Sequence, residues 1–299
     1  EWFPKSQRGL ITGIVVSGFG LAPVYIAPLT TSLVGAFGLP LAFALLGGGF
    51  LVLILALSPL IRNPPEPHLA WLAQSYAEGV DAPAGRRRDF DWKEALSTRA
   101  FRGLWIMFCF GTFAGLLIIG QMRDIGAEQA RVSSAFLLPI FYAVFNCVGR
   151  LACGFISDRL GRLRSLRLLF SLQVLAFVGF IFIRSPGPML VGVSVVGFTF
   201  GGMLSLFPAA TSDYFGMRNF GVNYGMMLTA WGVGGVFGPL LGGLVRDLTG
   251  TYLISYVVSI GLSLAGALIS LGVRAPDLSL DKPIDSAAAP APTGAKEPA

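Results

Sequence analysis

One arginine lies in the middle of an otherwise apolar stretch of the sequence. Arg150 follows Tyr142 by eight residues and Asn146 by four, so a helix would present all three side chains on one face. An arginine at the centre of a membrane helix costs about 2.5–3.5 kcal/mol on insertion scales, so it is a functional candidate by default. Its planar guanidinium matches a carboxylate. The pattern predicts an anion-binding site, and the alternative is an arginine whose side chain reaches toward the nearest membrane surface.

The composition requires a lipid bilayer around these residues. Of the 299 residues 54% are hydrophobic and only 13% are charged, against about 25% charged in a typical soluble domain. The mean hydropathy is +0.70. A water-soluble chain of this size could not bury so much apolar surface, so we expect an integral membrane protein.

Uncharged intervals mark the expected membrane spans, because charge in hydrocarbon is costly. The 53 residues between Arg8 and Arg62 hold no charge and have room for two helices, divided near residues 35–38. Six further intervals each fit one span: 103–122, 132–149, 168–183, 185–212, 219–245 and 248–273. The interval 168–183 is short for a span. The total predicts an all-α membrane protein with eight transmembrane helices.

The basic residues favour one side of the membrane. With both ends of this even-numbered set on the same side, 17 lysines and arginines fall there and 4 on the other side, with Arg150 left inside a helix. The positive-inside rule then places both termini in the cytoplasm. These charges are topology signals, so no nucleic-acid partner is expected. Residues 63–99 are interpreted as a cytoplasmic linker with one short helix, and residues 275–299 as a disordered tail.

Several kinds of chemistry are not expected. The predicted spans hold no His, Asp or Glu, which argues against an intramembrane enzyme and against a carboxylate proton relay in this part of the protein. The three cysteines, Cys109, Cys147 and Cys153, lack metal-type spacing and are interpreted as buried thiols. His68 lies in the linker and is given no role. We therefore expect no catalytic residues, metal or cofactor.

An internal repeat relates the two ends of the chain at an offset of 212 residues. The paired positions are Trp2-Phe3 with Tyr214-Phe215, Gly9 with Gly221, Gly13 with Gly225, Gly20 with Gly232 and Gly38 with Gly250. Each copy would open a helix pair at an equivalent place in a parallel repeat of six helices. Both copies carry Gly-x-x-x-Gly, which lets helix backbones approach closely. Close packing is therefore expected at these glycines, with a direct substrate role as the alternative.

A loop motif follows the helix that carries Arg150. Its residues are Gly154, Asp158, Arg159, Gly161 and Arg162, at the spacing G-x-x-x-D-R-x-G-R. The motif resembles the loop signature of the major facilitator superfamily, which lies between the second and third helices of each half. The resemblance implies a twelve-helix fold of which this chain would hold the equivalents of helices 5–12. Residues 1–62 would then end the first bundle, residues 100–274 would form the second, and four N-terminal helices would be absent.

In that family the loop acts as a gate. The resemblance implies that Asp158 caps the positive end of the helix beginning near Asn223, while the arginines pair with acidic residues across the cytoplasmic face. The alternative is a solvated loop that only sets the topology. Such a loop accounts for the arginines but not for the fixed spacing of glycine and aspartate.

A narrower resemblance covers most of the chain. It rests on the segments 2–13, 111–116, 213–219 and 223–225, which are Trp-Phe-Pro-x-x-x-Arg-Gly-Leu-x-Thr-Gly, Gly-Thr-Phe-Ala-Gly-Leu, Asp-Tyr-Phe-Gly-x-x-Asn and Asn-Tyr-Gly. These look like the oxalate/formate antiporter family, which is related to the monocarboxylate carriers. In such carriers an arginine of the eighth helix binds the anion, and Arg150 matches that position. Oxalate-transporting members carry a second cation in a stretch resembling Thr-Ala-Lys-Gly, where this chain has Trp231.

These observations predict a carrier. The expected function is secondary active or facilitative transport, including antiport, of a small organic anion, with a monocarboxylate favoured over a dianion. Alternating access between two helix bundles would move it across a plasma membrane, expected to be a bacterial inner membrane. The expected substrate ligands are Arg150, Asn146, Tyr142 and Trp231. The alternatives are a drug or sugar carrier and a non-transporting sensor on the same fold. The oligomeric state is not determined by the sequence, and the full-length carrier is expected to be a monomer.

Overall fold

A computed structural model shows a bundle of long helices. It describes residues 5–60, 62, 65, 89–132 and 137–276, without the side chains of residues 5–17, 19–21, 23 and 27. The helices are α1 (Lys5–Leu57), a 3-10 turn (Ser58–Leu60), α2 (Trp92–Ser97), α3 (Arg99–Ala130), α4 (Leu137–Leu160), α5 (Arg162–Phe182), α6 (Pro186–Phe215), α7 (Phe220–Thr249) and α8 (Leu253–Gly272). No β-strand occurs within these described ranges.

The membrane spans agree with the sequence prediction. In the described part of the chain, seven helices are long and apolar enough to cross a membrane. The first of these, Val24–Leu60, runs from α1 through the 3-10 turn and crosses the non-helical backbone of Gly38 (φ 72°, ψ 169°), so the eight predicted spans are found as seven. The sequence predicted the boundary between two spans at this point.

The two halves of the internal repeat share a backbone feature. Gly38 has φ 72°, and its partner at the 212-residue offset, Gly250, has φ 71°. L-amino acids with a side chain rarely adopt such a φ, so glycine suits both junctions. Gly250 ends α7, just before α8 begins. Their ψ angles differ, at 169° and 7°, so the two glycines share a positive φ but not one conformation, and the internal repeat stays a prediction.

Helices α3–α7 are longer than their uncharged intervals, whereas α8, with 20 residues, is shorter than the interval 248–273. The short predicted span 168–183 belongs to α5, which has 21 residues and begins at Arg162. Because a helix of 30 residues is about 45 Å long, its ends extend beyond a hydrocarbon core of about 30 Å. Charged side chains occupy these end turns. The acidic ones in α3–α8 are Asp124, Glu128, Asp158, Asp213 and Asp247.

Helices α3–α8 run alternately up and down and form one bundle. Its basic end is defined here by Arg99, Arg162, Arg218 and Arg274. The most extensive contacts join α4 to α6, α3 to α7 and α5 to α8, and α1 packs against α4. Large aromatic side chains fill the centre, where the rings of Phe108 and Phe207 stack with their centroids 4.2 Å apart. Helix α4 thus packs against both α6 and α1.

Glycines bring α7 close to α3. An added methyl group at Gly234 or Gly238 would collide with atoms of Thr112 or Phe113 on α3. At Gly221 and Gly225, by contrast, a methyl group would meet nothing within 4 Å. The close packing predicted there has no described partner, and it stays a prediction. The side chains around Gly9 and Gly13 lie outside the described residues.

The sequence predicted a short helix in the linker, and α2 lies near the end of that segment. The backbone N–H of Asp91 donates to the carboxylate of Glu94 at 3.1 Å, which stabilises the first turn of α2. Most of the linker, including His68, lies outside the described residues, as does the predicted disordered tail from residue 277 onward. Of the three thiols, Cys153 is buried, whereas Cys109 and Cys147 are only half-buried.

Candidate substrate-binding site

The guanidinium of Arg150 lies deep in the bundle. Arg150 is ten residues from Leu160, the last residue of α4, which places it about 15 Å from the basic end. That distance is about half of a 30 Å hydrocarbon core. The residue is only 2% exposed. The side chain is therefore enclosed by protein and does not extend to the membrane surface.

Asn146 contacts Arg150 directly. The Nε–H of Arg150 donates to Oδ1 of Asn146 at 2.9 Å, and Asn146 is itself buried. The sequence predicted Asn146 as a ligand of the substrate. Its amide oxygen is directed at the guanidinium, so the side chain orients Arg150, and a contact of Asn146 with the substrate stays a prediction.

Tyr142 lies on the same face of α4 and is also buried. Its hydroxyl approaches the carbonyl of Gly115 on α3 at 3.5 Å. Cys147 and Tyr224 also lie near Arg150. The structure thus brings together the three residues of α4 that the sequence grouped.

Tyr224 is a site residue that sequence reasoning missed. It belongs to α7 and stacks on Phe220 with ring centroids 5.5 Å apart and planes inclined by 5°. Trp231 follows it by seven residues, about two helical turns, so both lie on one face of α7. This spacing was a usable signal, but the proximity of α7 to Arg150 depends on tertiary packing.

Trp231 lies at nearly the same depth as Arg150. It is 11 residues from Phe220, the first residue of α7, or about 17 Å from the basic end. Its indole Nε1 is buried and has no hydrogen-bond partner among the described residues. A different indole, that of Trp105, donates to the hydroxyl of Thr229 at 2.9 Å. A contact between Trp231 and the substrate stays a prediction.

A seam of glycines fixes α4 against α6. A methyl group at Gly197 would lie 2.6 Å from the carbonyl oxygen of Tyr142, and one at Gly201 would collide with the carbonyl of Asn146. On the facing side, a methyl group at Gly149 would collide with the backbone of α6. The two backbones are therefore in contact directly behind the residues that surround Arg150.

The loop motif forms a junction of three helices. Arg162, the first residue of α5, donates from Nη1 to Oδ1 of Asp158 at 2.7 Å and from Nε to Oδ2 of Asp213 at 2.8 Å. It also donates to the hydroxyl of Ser157. Asp158 belongs to α4 and Asp213 to α6, so one guanidinium joins three helix ends. The predicted pairing of the motif's arginines with acidic residues is present at Arg162.

Other residues of the motif shape the turn. Gly161 has φ 86°, which favours glycine and explains this position of the motif. The guanidinium of Arg159 lies 4.3 Å from the ring centre of Phe155. Gly154 faces Ser205, whose hydroxyl an added methyl group would approach to 3.4 Å.

The predicted role of Asp158 differs from what the structure shows. Its carboxylate is paired with Arg162 rather than with the helix near Asn223. The backbone N–H of Arg218, just before that helix, donates instead to the carboxylate of Asp89 at 3.1 Å. The expected contact is therefore not seen among the described residues, because a nearer acidic residue occupies the turn.

A second ion pair lies at the opposite end of the bundle. Arg246 of α7 donates through two nitrogens to the two carboxylate oxygens of Glu128 on α3, at 2.6 and 2.8 Å. No cluster of three His, Cys, Asp or Glu side chains that could hold a metal occurs among the described residues.

The sequence profile of the Major Facilitator Superfamily matches residues 1–231 of the chain. YhjX of Escherichia coli K12, an uncharacterised transporter of this type, is 25% identical over 240 residues, covering 79% of this chain and 57% of that protein. The oxalate:formate antiporter of Oxalobacter formigenes is 28% identical over 265 residues, covering 87% of this chain and 61% of that protein. Monocarboxylate transporter 13 of Bos taurus is 27% identical over 152 residues, covering 50% of this chain and 35% of that protein. The chain thus spans about 60% of the length of the first two relatives.

Proposed function

Because the chain belongs to the Major Facilitator Superfamily, we propose that the protein transports a small monocarboxylate, with Arg150 as the ligand of its carboxylate group. Membership in this family supports a multi-pass membrane transporter rather than an enzyme. The substrate, the direction of transport and the activity of the whole protein belong to the proposal. So do the cytoplasmic position of the basic end and the location in a bacterial inner membrane.

The observation that carries the proposal is the buried guanidinium at mid-depth. Among the residues of α3–α8, Arg150 is the only charged residue more than seven positions from a helix end. The side chain of Asn146 accepts a hydrogen bond from its Nε–H, and this bond orients the planar fork of the guanidinium. A carboxylate that reaches it forms a charge-assisted, bidentate pair where little water competes.

The proposed preference for a monocarboxylate over a dianion rests on a residue of α7. At the depth of Arg150, α7 presents Trp231, a neutral residue. The indole N–H can donate one hydrogen bond, but it cannot neutralise a second carboxylate. Tyr142, Tyr224 and Trp231 instead offer aromatic surface to the remainder of a small anion. The relatives named for oxalate and formate and for monocarboxylates support a carboxylate as the substrate.

Transport would proceed by alternating access. In this fold the substrate lies between two helix bundles, which rock around it. Arg150 belongs to α4, the helix of the six-helix bundle against which α1 packs. A bound anion at Arg150 would therefore lie near the interface between α1 and that bundle.

The test is uptake of labelled formate, lactate, pyruvate and oxalate by proteoliposomes that contain the complete gene product. Arg150→Ala should abolish carboxylate uptake, since losing such a charge pair costs about 2–5 kcal/mol. Arg150→Lys should impair it despite the retained charge, because lysine lacks the bidentate fork.

Arg164→Ala is the matched control. It removes one positive charge from an exposed position at the basic end and should leave uptake unchanged. If Arg150→Ala transports a carboxylate as well as the parent does, at equal membrane expression, the proposed substrate class loses its main support.

A further inference from the structure

The turn between α6 and α7 holds the end of the linker. The backbone N–H of Phe90 donates to the carbonyl of Phe215 at 3.0 Å. Oδ1 of Asp89 accepts the backbone N–H of Arg218 at 3.1 Å. These bonds join two segments that are 125 or more positions apart in the sequence (215 − 90 = 125).

Two asparagines of the same turn bind one carbonyl group. The side-chain amides of Asn219 and Asn223 donate to the carbonyl of Phe90 at 3.0 and 3.1 Å. The ring of Phe90 is only 2% exposed and meets the ring of Phe215 edge-on, with centroids 5.9 Å apart. The segment is therefore both hydrogen-bonded and packed into an apolar pocket.

This contact also explains much of the segment 213–219. Phe215 supplies the ring and the carbonyl, Asn219 supplies an amide donor, and a methyl group at Gly216 would collide with Asp89. The same turn is also linked to the substrate site through two residues that are neighbours in the sequence. Asn223, which is fully buried, is adjacent in the sequence to Tyr224, which lies near Arg150.

We propose that Asp89 and Phe90 are positioning residues: they anchor the linker to the start of α7 and so place Tyr224 and Trp231 relative to Arg150. The proposal rests on the proposed function in that these residues of α7 line the substrate site. The burial of the Phe90 ring and four convergent hydrogen bonds favour an anchor that stays closed throughout transport. Because the side chain of Asn223 is hydrogen-bonded to the carbonyl of Phe90, a displacement of the linker at Phe90 would also displace the start of α7.

The first experiment measures carboxylate uptake kinetics. Asp89→Ala removes the acceptor for Arg218 and should raise KM about 2- to 10-fold at unchanged Vmax, since one hydrogen bond contributes about 0.5–1.5 kcal/mol. Asp89→Asn keeps an acceptor oxygen and should restore the KM of the parent. Asp89 is exposed, so neither variant should unfold the protein. Equal KM values for the parent and Asp89→Ala would overturn the positioning role.

The second experiment needs no substrate. Ala95 lies on α2, just after the anchor, and is 0% exposed. A thiol introduced by Ala95→Cys should react with maleimide no faster than the background of the native cysteines. Adding Asn223→Asp, which replaces an amide donor by an acceptor facing the carbonyl of Phe90, should accelerate labelling several-fold.

The two experiments separate two kinds of failure. If the parent takes up no carboxylate, the proposed function fails, and the labelling of Ala95→Cys still shows whether the anchor exists. Fast labelling of Ala95→Cys in the otherwise unaltered protein would overturn the anchor itself.

Discussion

The amide oxygen of Asn146 accepts the Nε–H of Arg150 at a distance of 2.9 Å, one helical turn away on α4. The bond uses the one N–H of the guanidinium that does not belong to its terminal fork. The fork is therefore held in a fixed direction by a neutral partner. A neutral partner matters, because it orients the charge without cancelling it.

Replacing this partner by a charged one should disable the site. Asn146→Asp places a carboxylate within an ion-pair distance of Arg150, where it competes with the substrate. We expect uptake of monocarboxylates to fall roughly 10-fold or more, since 1.4 kcal/mol of competition suffices for that. Asn146→Ala, which removes the orienting bond but adds no charge, should reduce uptake less. Proteoliposome uptake would contradict this if the Asp variant kept the KM of the parent.

A second prediction concerns the number of charges in the site. Trp231→Lys adds a cation at nearly the depth of Arg150 and should shift preference from formate and lactate toward oxalate. The ratio of oxalate to formate uptake is the measurement, with Trp231→Phe as the neutral control. If the ratio does not rise in the lysine variant, the position is wrongly assigned although the Arg150 site remains.

The glycine seam should be sensitive to a single methyl group. Gly201→Ala forces a side chain against the carbonyl of Asn146, and such overpacking costs typically about 1–3 kcal/mol. The apparent Tm of the purified protein should fall. Gly179→Ala on α5 is the matched control, because a methyl group there meets nothing within 4 Å. A drop of equal size in both variants would show that the contact with Asn146 does not govern the result.

The junction at Arg162 should contribute a measurable but modest coupling. The side chains of Arg162 and Asp213 are 19% and 46% exposed, so solvent screens their attraction. A double-mutant cycle with Arg162→Ala and Asp213→Asn should give about 0.5–1 kcal/mol in thermal unfolding. Additive effects of the two changes would mean that the ion pair seen here does not persist in solution.

The orientation can be tested at two exposed positions on opposite ends of the bundle. Ser97 lies near the end of the linker, and Thr251 lies between α7 and α8. In intact cells a membrane-impermeant maleimide should label Thr251→Cys but not Ser97→Cys, and inverted vesicles should show the reverse. The unaltered protein supplies the background of the native thiols. Labelling of Ser97→Cys from outside would reverse the topology.

Much of the fold could be predicted from the positions of charges. Each of the helices α3–α8 overlaps one uncharged interval, because the hydrocarbon core excludes charge over a fixed thickness. The helix ends could not be predicted in this way. Arg162 begins α5 although it is charged, because the end turns of a long helix reach beyond the core.

The site was only partly predictable. Tyr142, Asn146 and Arg150 are spaced along one helix, so a single sequence reveals that they share a face. The role of Asn146 depends on a side-chain direction that spacing does not give. Tyr224 and Asp89 were missed because their contacts are long-range. In particular, Asp89 rather than Asp158 reaches the turn before α7, which no local pattern indicates.

The contact of backbones between α4 and α6 has a consequence for how such a protein changes its preference during evolution. Glycines at 149, 197 and 201 leave no room for larger side chains, so the spacing of these two helices is not open to gradual adjustment. New selectivity must then arise from residues that face away from this contact, above all on α7. A lineage that alters its substrate is therefore expected to vary at positions 224 and 231 while its glycines at the seam stay constant.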